Sequence, residues 1–193
     1  MRRLSRPLIA CCLLLIGALA LARMVGAGLP SAHAAYFSAA DGTPCATPCI
    51  FGVQPTHLAL PPIIKLLQAH PLTAGGDQGL FNDDLAVFGT DQFTIVVSQA
   101  SDPVMFVTLV KPLPLGDVLA AFGAPALTAF AQTRRGLNQT LLFADGQLLA
   151  EIQHAPYATH STPHAPVVRL GVATRGFNQR GASPWRGLGA LRR

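Results

Sequence analysis

Charge is scarce in this chain, at 12% of residues, and acid is scarcer still: nine carboxylates, of which Glu151 is the only glutamate. Asp83 and Asp84 are adjacent, so on a strand they point to opposite faces and cannot share a substrate, which leaves paired-acid hydrolysis without support. The patterns G-x-S-x-G, H-E-x-x-H and G-x-x-x-x-G-K-[ST] are missing, and with them the usual signatures of serine, zinc and phosphate-loop machinery. Cysteine is limited to four residues, two of them, Cys11 and Cys12, inside an N-terminal apolar run. A non-enzymatic protein without a cofactor is the expectation from these absences.

Apolar residues, in contrast, make up half of the 193 positions, enough for a real core. The chain opens with Arg2, Arg3 and Arg6, continues through an uncharged run from Leu8 to Ala22, and reaches a small-residue stretch ending Ala32-His33-Ala34. That order is the one of a secretory signal peptide with cleavage after Ala34, and it predicts a secreted or cell-envelope protein. The alternative is an N-terminal membrane anchor. Against it, the apolar run is shorter than the roughly 20 residues a spanning helix needs before Arg23 interrupts it.

The formal charge of +5 belongs to the ends. Four arginines lie in the leader, and the last stretch, from residue 171, holds Arg175, Arg180, Arg186, Arg192 and Arg193 with no acid. All nine acids fall between residues 35 and 170, so the body of the protein is mildly acidic.

Residues 35–55 carry no period and read as an extended segment pinned by Cys45 and Cys49. In "LALPPIIKLLQAHP" the spacing of Ile63, Leu66, Leu67 and His70 predicts a helix near residues 61–70, with prolines tolerated in its first turn. "TAGGDQGLFNDD" reads as a loop. "LAVFG", "QFTIVVSQ" and "VMFVTLVK" read as strands, the latter two joined as a hairpin. "LPLGDVLAAFGAP" predicts a second helix closed by Gly123. Asp145-Gly146 then signals a two-residue hairpin turn that pairs Phe143 with Leu148, Leu142 with Leu149 and Leu141 with Ala150. "PVVRLGVA" adds a last strand, and residues 174–193 read as a disordered Arg/Gly-rich tail. The expected architecture is an α+β domain over residues 56–173: an antiparallel sheet with two short helices on one face, arranged as a tandem helix-plus-hairpin repeat.

The stretches "PCATPCIFGVQP", "LLQAHPL" and "LPLGDVLAAFGAP" resemble uncharacterised bacterial exported proteins with a P-C-x-x-P-C opening and an L-G-D-V repeat. More distantly, the helix-and-hairpin unit with Gly and Pro after the helix resembles small envelope lipoproteins and β-lactamase-inhibitor-like modules. That resemblance implies a binding or interaction module, with an unknown protein or envelope component as partner, and supplies no catalytic residue.

Cys45 and Cys49 are expected to form a structural disulfide, because the compartment beyond the membrane is oxidising. The competing reading is a metal-binding or thiol protein, in which soft thiolates act with His57 or with His154, His160 and His164 of "HAPYATHSTPH". His57 and His70 otherwise read as capping or surface residues. Arg175, Arg180, Arg186, Arg192 and Arg193, interleaved with Phe177 and Trp185, could touch an anionic surface, although export argues against nucleic acid, and membrane contact requires the leader to be retained. Asn138-Gln139-Thr140 matches a glycosylation sequon.

Overall fold

Alternating apolar residues in "FTIVVS" and "VMFVTLV" build the centre of a single antiparallel sheet. The computed structural model describes residues 17–18, 33–56, 59–82, 84–99, 102–134, 136–155, 158 and 160–188. In the unit His33–Arg193 the described residues form nine strands: β1 (Asp77–Asn82), β2 (Leu85–Gly89), β3 (Phe93–Ser98), β4 (Val104–Pro114), β5 (Leu127–Thr133), β6 (Gly136–Phe143), β7 (Leu148–His154), β8 (Pro166–Ala173) and β9 (Ser183–Pro184). Their spatial order is β1-β2-β3-β4-β8-β7-β6-β5-β9, every pair antiparallel. Two meanders of four strands thus meet at the β4–β8 seam.

A helix precedes each meander. Helix α1 (Leu60–Ala69) buries Leu60, Ile63 and Leu67, spaced three and four apart, and its prolines sit in the first turn, where backbone N–H groups have no helical acceptor. Helix α2 (Leu115–Phe122) buries Leu115 and Val118. Gly123 ends it at φ 78°, a conformation that a β-carbon disfavours. The first-turn donors of α2 are taken by the connection between β7 and β8: Leu115 N–H donates to Ala165 O at 3.0 Å and Gly116 N–H to Pro163 O at 2.7 Å.

The inner face of the sheet carries rows of apolar residues set by register. One runs Phe88, Ile95, Val107, Leu170, Ala150, Leu141, and the next Ala86, Val97, Met105, Val172, Leu148, Phe143; all are buried. Ring contacts join the covering segments to this core, with Phe122 5.5 Å from Phe143 and Phe37 5.0 Å from Phe122.

The N-terminal extended segment enters the core by a tight turn. Ile50 and Val53 exchange backbone hydrogen bonds of 3.1 and 2.9 Å, and the two residues between them, Phe51 (φ 52°) and Gly52 (φ 76°), both take positive φ. A bulky side chain is uncommon there. Phe51 is held by packing: it is fully buried, 4.9 Å from the Phe93 ring, 5.3 Å from Tyr36 and 5.2 Å from His70.

Several expectations change. "DQGLFN" is strand β1, not loop, because it pairs along β2 from Asp77 opposite Gly89. Residues 127–133, to which the sequence reading assigns no element, form β5 by pairing with β6 along their whole length. The Asp145-Gly146 register agrees at all three pairs, with positive φ at both residues and Gln147 N–H on Ala144 O at 3.0 Å. Residues 174–188 are not a disordered tail: they fold back over the sheet and contribute β9, because their few apolar side chains find slots that a linear reading cannot reveal. His70, read as a capping or surface residue, caps α1 through its backbone, yet its side chain is buried against Phe51.

Candidate functional site

The outer face of the sheet divides into two bands. Register aligns Val87, Val96, Phe106, Gly171, Leu149, Leu142 and Leu127 in an apolar row across seven strands. The C-terminal segment covers part of it: the Phe177 ring lies 5.5 Å from Phe106, and a β-carbon built on Gly171 would stand 2.7 Å from Phe177 Cζ. Two residues along each strand the character reverses, and Thr94, Thr108, Arg169, Glu151 and Thr140 line up as a polar row.

On this polar side a groove of about 670 Å³ crosses the β4, β8, β7 and β6 strands. Its polar lining includes Thr108, Arg134, Asn138, Glu151, Gln153 and Arg169, and Val110, 63% exposed, stands at its margin. Glu151 is the hub. Its carboxylate accepts from Asn138 Nδ2 at 2.7 Å and from an Arg169 guanidinium nitrogen at 3.2 Å. The Arg169 guanidinium also lies over the Phe106 ring, 5.9 Å from its centre, which restrains the long side chain from below. Asn138 Oδ1 is buried and has no hydrogen-bond partner among the described residues. The groove therefore presents a carboxylate and a guanidinium held against each other, a pair suited to hydrogen-bonding a polar ligand.

Sequence reading did not single out Glu151, Arg169 and Asn138 as a site. They lie on three strands, and only the β6–β7–β8 register makes them neighbours. The sequon reading also changes meaning, since Asn138 is half-buried in mid-strand with its amide engaged by Glu151.

The sequence-derived candidates fall in separate places. Cys45 and Cys49 are joined in a disulfide, with Cα atoms 6.1 Å apart and Cys49 buried, so as placed here neither offers a free thiolate. His57 lies outside the described residues. His154 points into the core from β7, and His160 and His164 are exposed on the following connection. Among the described residues no three His, Cys, Asp or Glu side chains gather closely enough to hold a metal ion. Arg175 pairs with Asp102 at 3.4 Å, Arg180 and Arg186 are exposed, and Arg192 and Arg193 lie outside the described residues.

Two buried histidines have depressed pKa values. Burial disfavours the charged form of His154, whose Nε2 meets Gln139 Oε1 at 2.9 Å, while Gln139 Nε2 donates to Thr128 Oγ1 at 3.3 Å. Burial also lowers His70, with the Ala35 and Ser38 carbonyls pulling weakly the other way. His70 Nδ1 accepts from Leu72 N–H at 3.3 Å. Among the described residues no helix is long and apolar enough to cross a membrane. No protein-family model matches this chain, and neither a curated protein nor a solved structure is significantly similar to it.

Proposed function

We propose that this is an exported binding module that holds a polar ligand or partner surface in the groove around Glu151, Arg169 and Asn138. The observation that carries the reading is the exposed Arg169 guanidinium paired with the Glu151 carboxylate, which Asn138 Nδ2 also holds, at the centre of the groove. Preorganised polar groups on a rigid sheet also lose little entropy on binding.

Export fits the same reading. The oxidised Cys45–Cys49 pair suits an oxidising compartment, and the burial of Tyr36 begins just beyond the expected cleavage after Ala34. The two units of helix plus four-stranded meander, joined at β4–β8, support descent from a tandem repeat, a broader unit than the helix-plus-hairpin one.

Two measurements test these parts separately. Intact mass of the protein produced with its own leader is expected to correspond to a chain starting at Ala35, with Cys45 and Cys49 alkylated only after reduction; a retained leader with freely alkylated cysteines would refute export and the staple. For binding, the wild-type and the Glu151→Gln and Arg169→Ala variants are immobilised and exposed to envelope and medium extracts. Ligand retained by the wild-type and lost by both folded variants supports the groove, whereas equal retention by all three places binding elsewhere.

A further inference from the structure

Sheet edges expose unpaired backbone groups, and the two edges of this sheet differ in how they are protected. At one edge, β1 starts with exposed Asp77, breaks register between Leu80 and Asn82, and is tied to α1 by a Gln68–Gln78 hydrogen bond of 3.0 Å. At the other edge, β5 has the sequence LTAFAQT, without charge, proline or bulge. Among the described residues only its first two are covered, by β9, through Leu127 opposite Pro184 and Thr128 opposite Ser183.

The direction of the remaining groups follows from the strap. Trp185 N–H donates to Ala126 O at 3.2 Å and Ser183 Oγ to Thr128 O at 3.5 Å, so even-numbered carbonyls point outward. Strand alternation then turns the N–H and C=O of Phe130 and Gln132 outward as well, and neither residue has a strand partner on that side among the described residues. Phe130 is also 38% exposed. The open end is cationic: exposed Arg134 follows β5 in the turn, whereas Arg186 lies past β9 at the covered end, and the sequence has no acid between Asp117 and Asp145 or after Glu151.

We infer that the β5 edge is a strand-addition site for a partner polypeptide whose pairing segment is uncharged in the middle and acidic at the end that meets Arg134. The added strand lies in line with β9 and pairs antiparallel with Ala129–Gln132, using backbone hydrogen bonds for affinity and Arg134 for selectivity. A second copy of this chain fits less well, since antiparallel pairing of two β5 edges brings the Arg134 end of one toward the Arg186 end of the other. This surface is distinct from the groove's Glu151 centre.

The probe is a synthetic peptide with alternating threonine and valine between two glutamates at each end, added to the full-length protein at low salt and followed by residue-resolved amide exchange. Exchange at Phe130 and Gln132 is expected to slow by roughly tenfold or more, with a lysine-flanked peptide roughly tenfold weaker and the difference shrinking as salt rises. Gln132→Pro, which removes an outward donor without touching the β5–β6 ladder, abolishes the protection, and Gln132→Ala retains it. Should the proline variant not fold, a peptide N-methylated on its pairing edge replaces it and is expected to give no protection. Unchanged exchange at these amides, equal protection by both peptides, or self-association without peptide that Gln132→Pro removes would each overturn the proposal.

Discussion

Gly171 and Phe177 make a lock between the outer sheet face and the C-terminal segment: the ring occupies the space where any other residue at 171 would carry its β-carbon, 2.7 Å from Cζ. Phe106 presses the same spot from the neighbouring strand, with ring carbons 3.2 Å from that position. Gly171→Ala is expected to destabilise the protein by roughly 1–3 kcal/mol through overpacking and to make residues 174–188 sensitive to protease. In the Phe177→Ala background the same change should cost much less. A double-mutant cycle by denaturant unfolding measures this coupling, and additive effects would show that the strap does not rest on Gly171.

The Thr128–Gln139–His154 ladder crosses three strands with all three residues buried. Gln139→Leu leaves two buried polar groups without their shared partner and is expected to cost about 1–3 kcal/mol, although leucine suits the apolar surroundings. Unfolding midpoints check it. A neutral or stabilising result would mean that water reaches the ladder.

His70 and His154 set the acid limb of stability. Both folded pKa values lie below the ordinary 6.5, so the unfolded chain takes up protons first. Their contribution is fully present above about pH 6.5 and is lost as pH falls toward the folded values. Denaturant midpoints are expected to be flat from pH 8 to 7 and to decline toward pH 5. The His70→Gln/His154→Gln double variant should flatten that decline, and an unchanged slope would rule out both histidines.

The Cys45–Cys49 disulfide closes a very short loop, so chain entropy predicts a contribution of no more than about 2 kcal/mol. Its position suggests a local task, since it stands directly before the turn that inserts Phe51 into the core at positive φ. Reduction is therefore expected to accelerate amide exchange around residues 50–53 while leaving the β3–β4 and β7–β8 amides protected. Phe51→Ala should cost more than reduction, about 3–5 kcal/mol, because it empties a fully buried aromatic site. Loss of the whole fold on mild reduction would contradict this ranking.

Short-range features were legible in advance wherever one local rule decided them. The Asp145-Gly146 hairpin register follows from turn chemistry, α1 and α2 from apolar spacing with Pro and Gly boundaries, and β2, β3, β4 and β8 from β-branched and aromatic runs. β5 was not legible because "LTAFAQT" has weak intrinsic strand preference and becomes a strand only through its partner β6. The groove was not legible at all: Asn138, Glu151 and Arg169 look like scattered polar residues until the β6–β7–β8 register brings them together.

By itself, the sequence determined the two helices, the strands of β-branched and aromatic character, the Asp145-Gly146 turn and the concentration of positive charge at the chain ends, since these depend on backbone preferences and on composition over a few residues. Tertiary structure alone decided that two meanders meet at β4–β8, that His154 turns inward while Glu151 faces out, that the C-terminal segment settles over Gly171, and that β9 covers only the start of the β5 edge. These are outcomes of pairing between distant segments, where the free energy comes from burying complementary surfaces and no single segment carries the information.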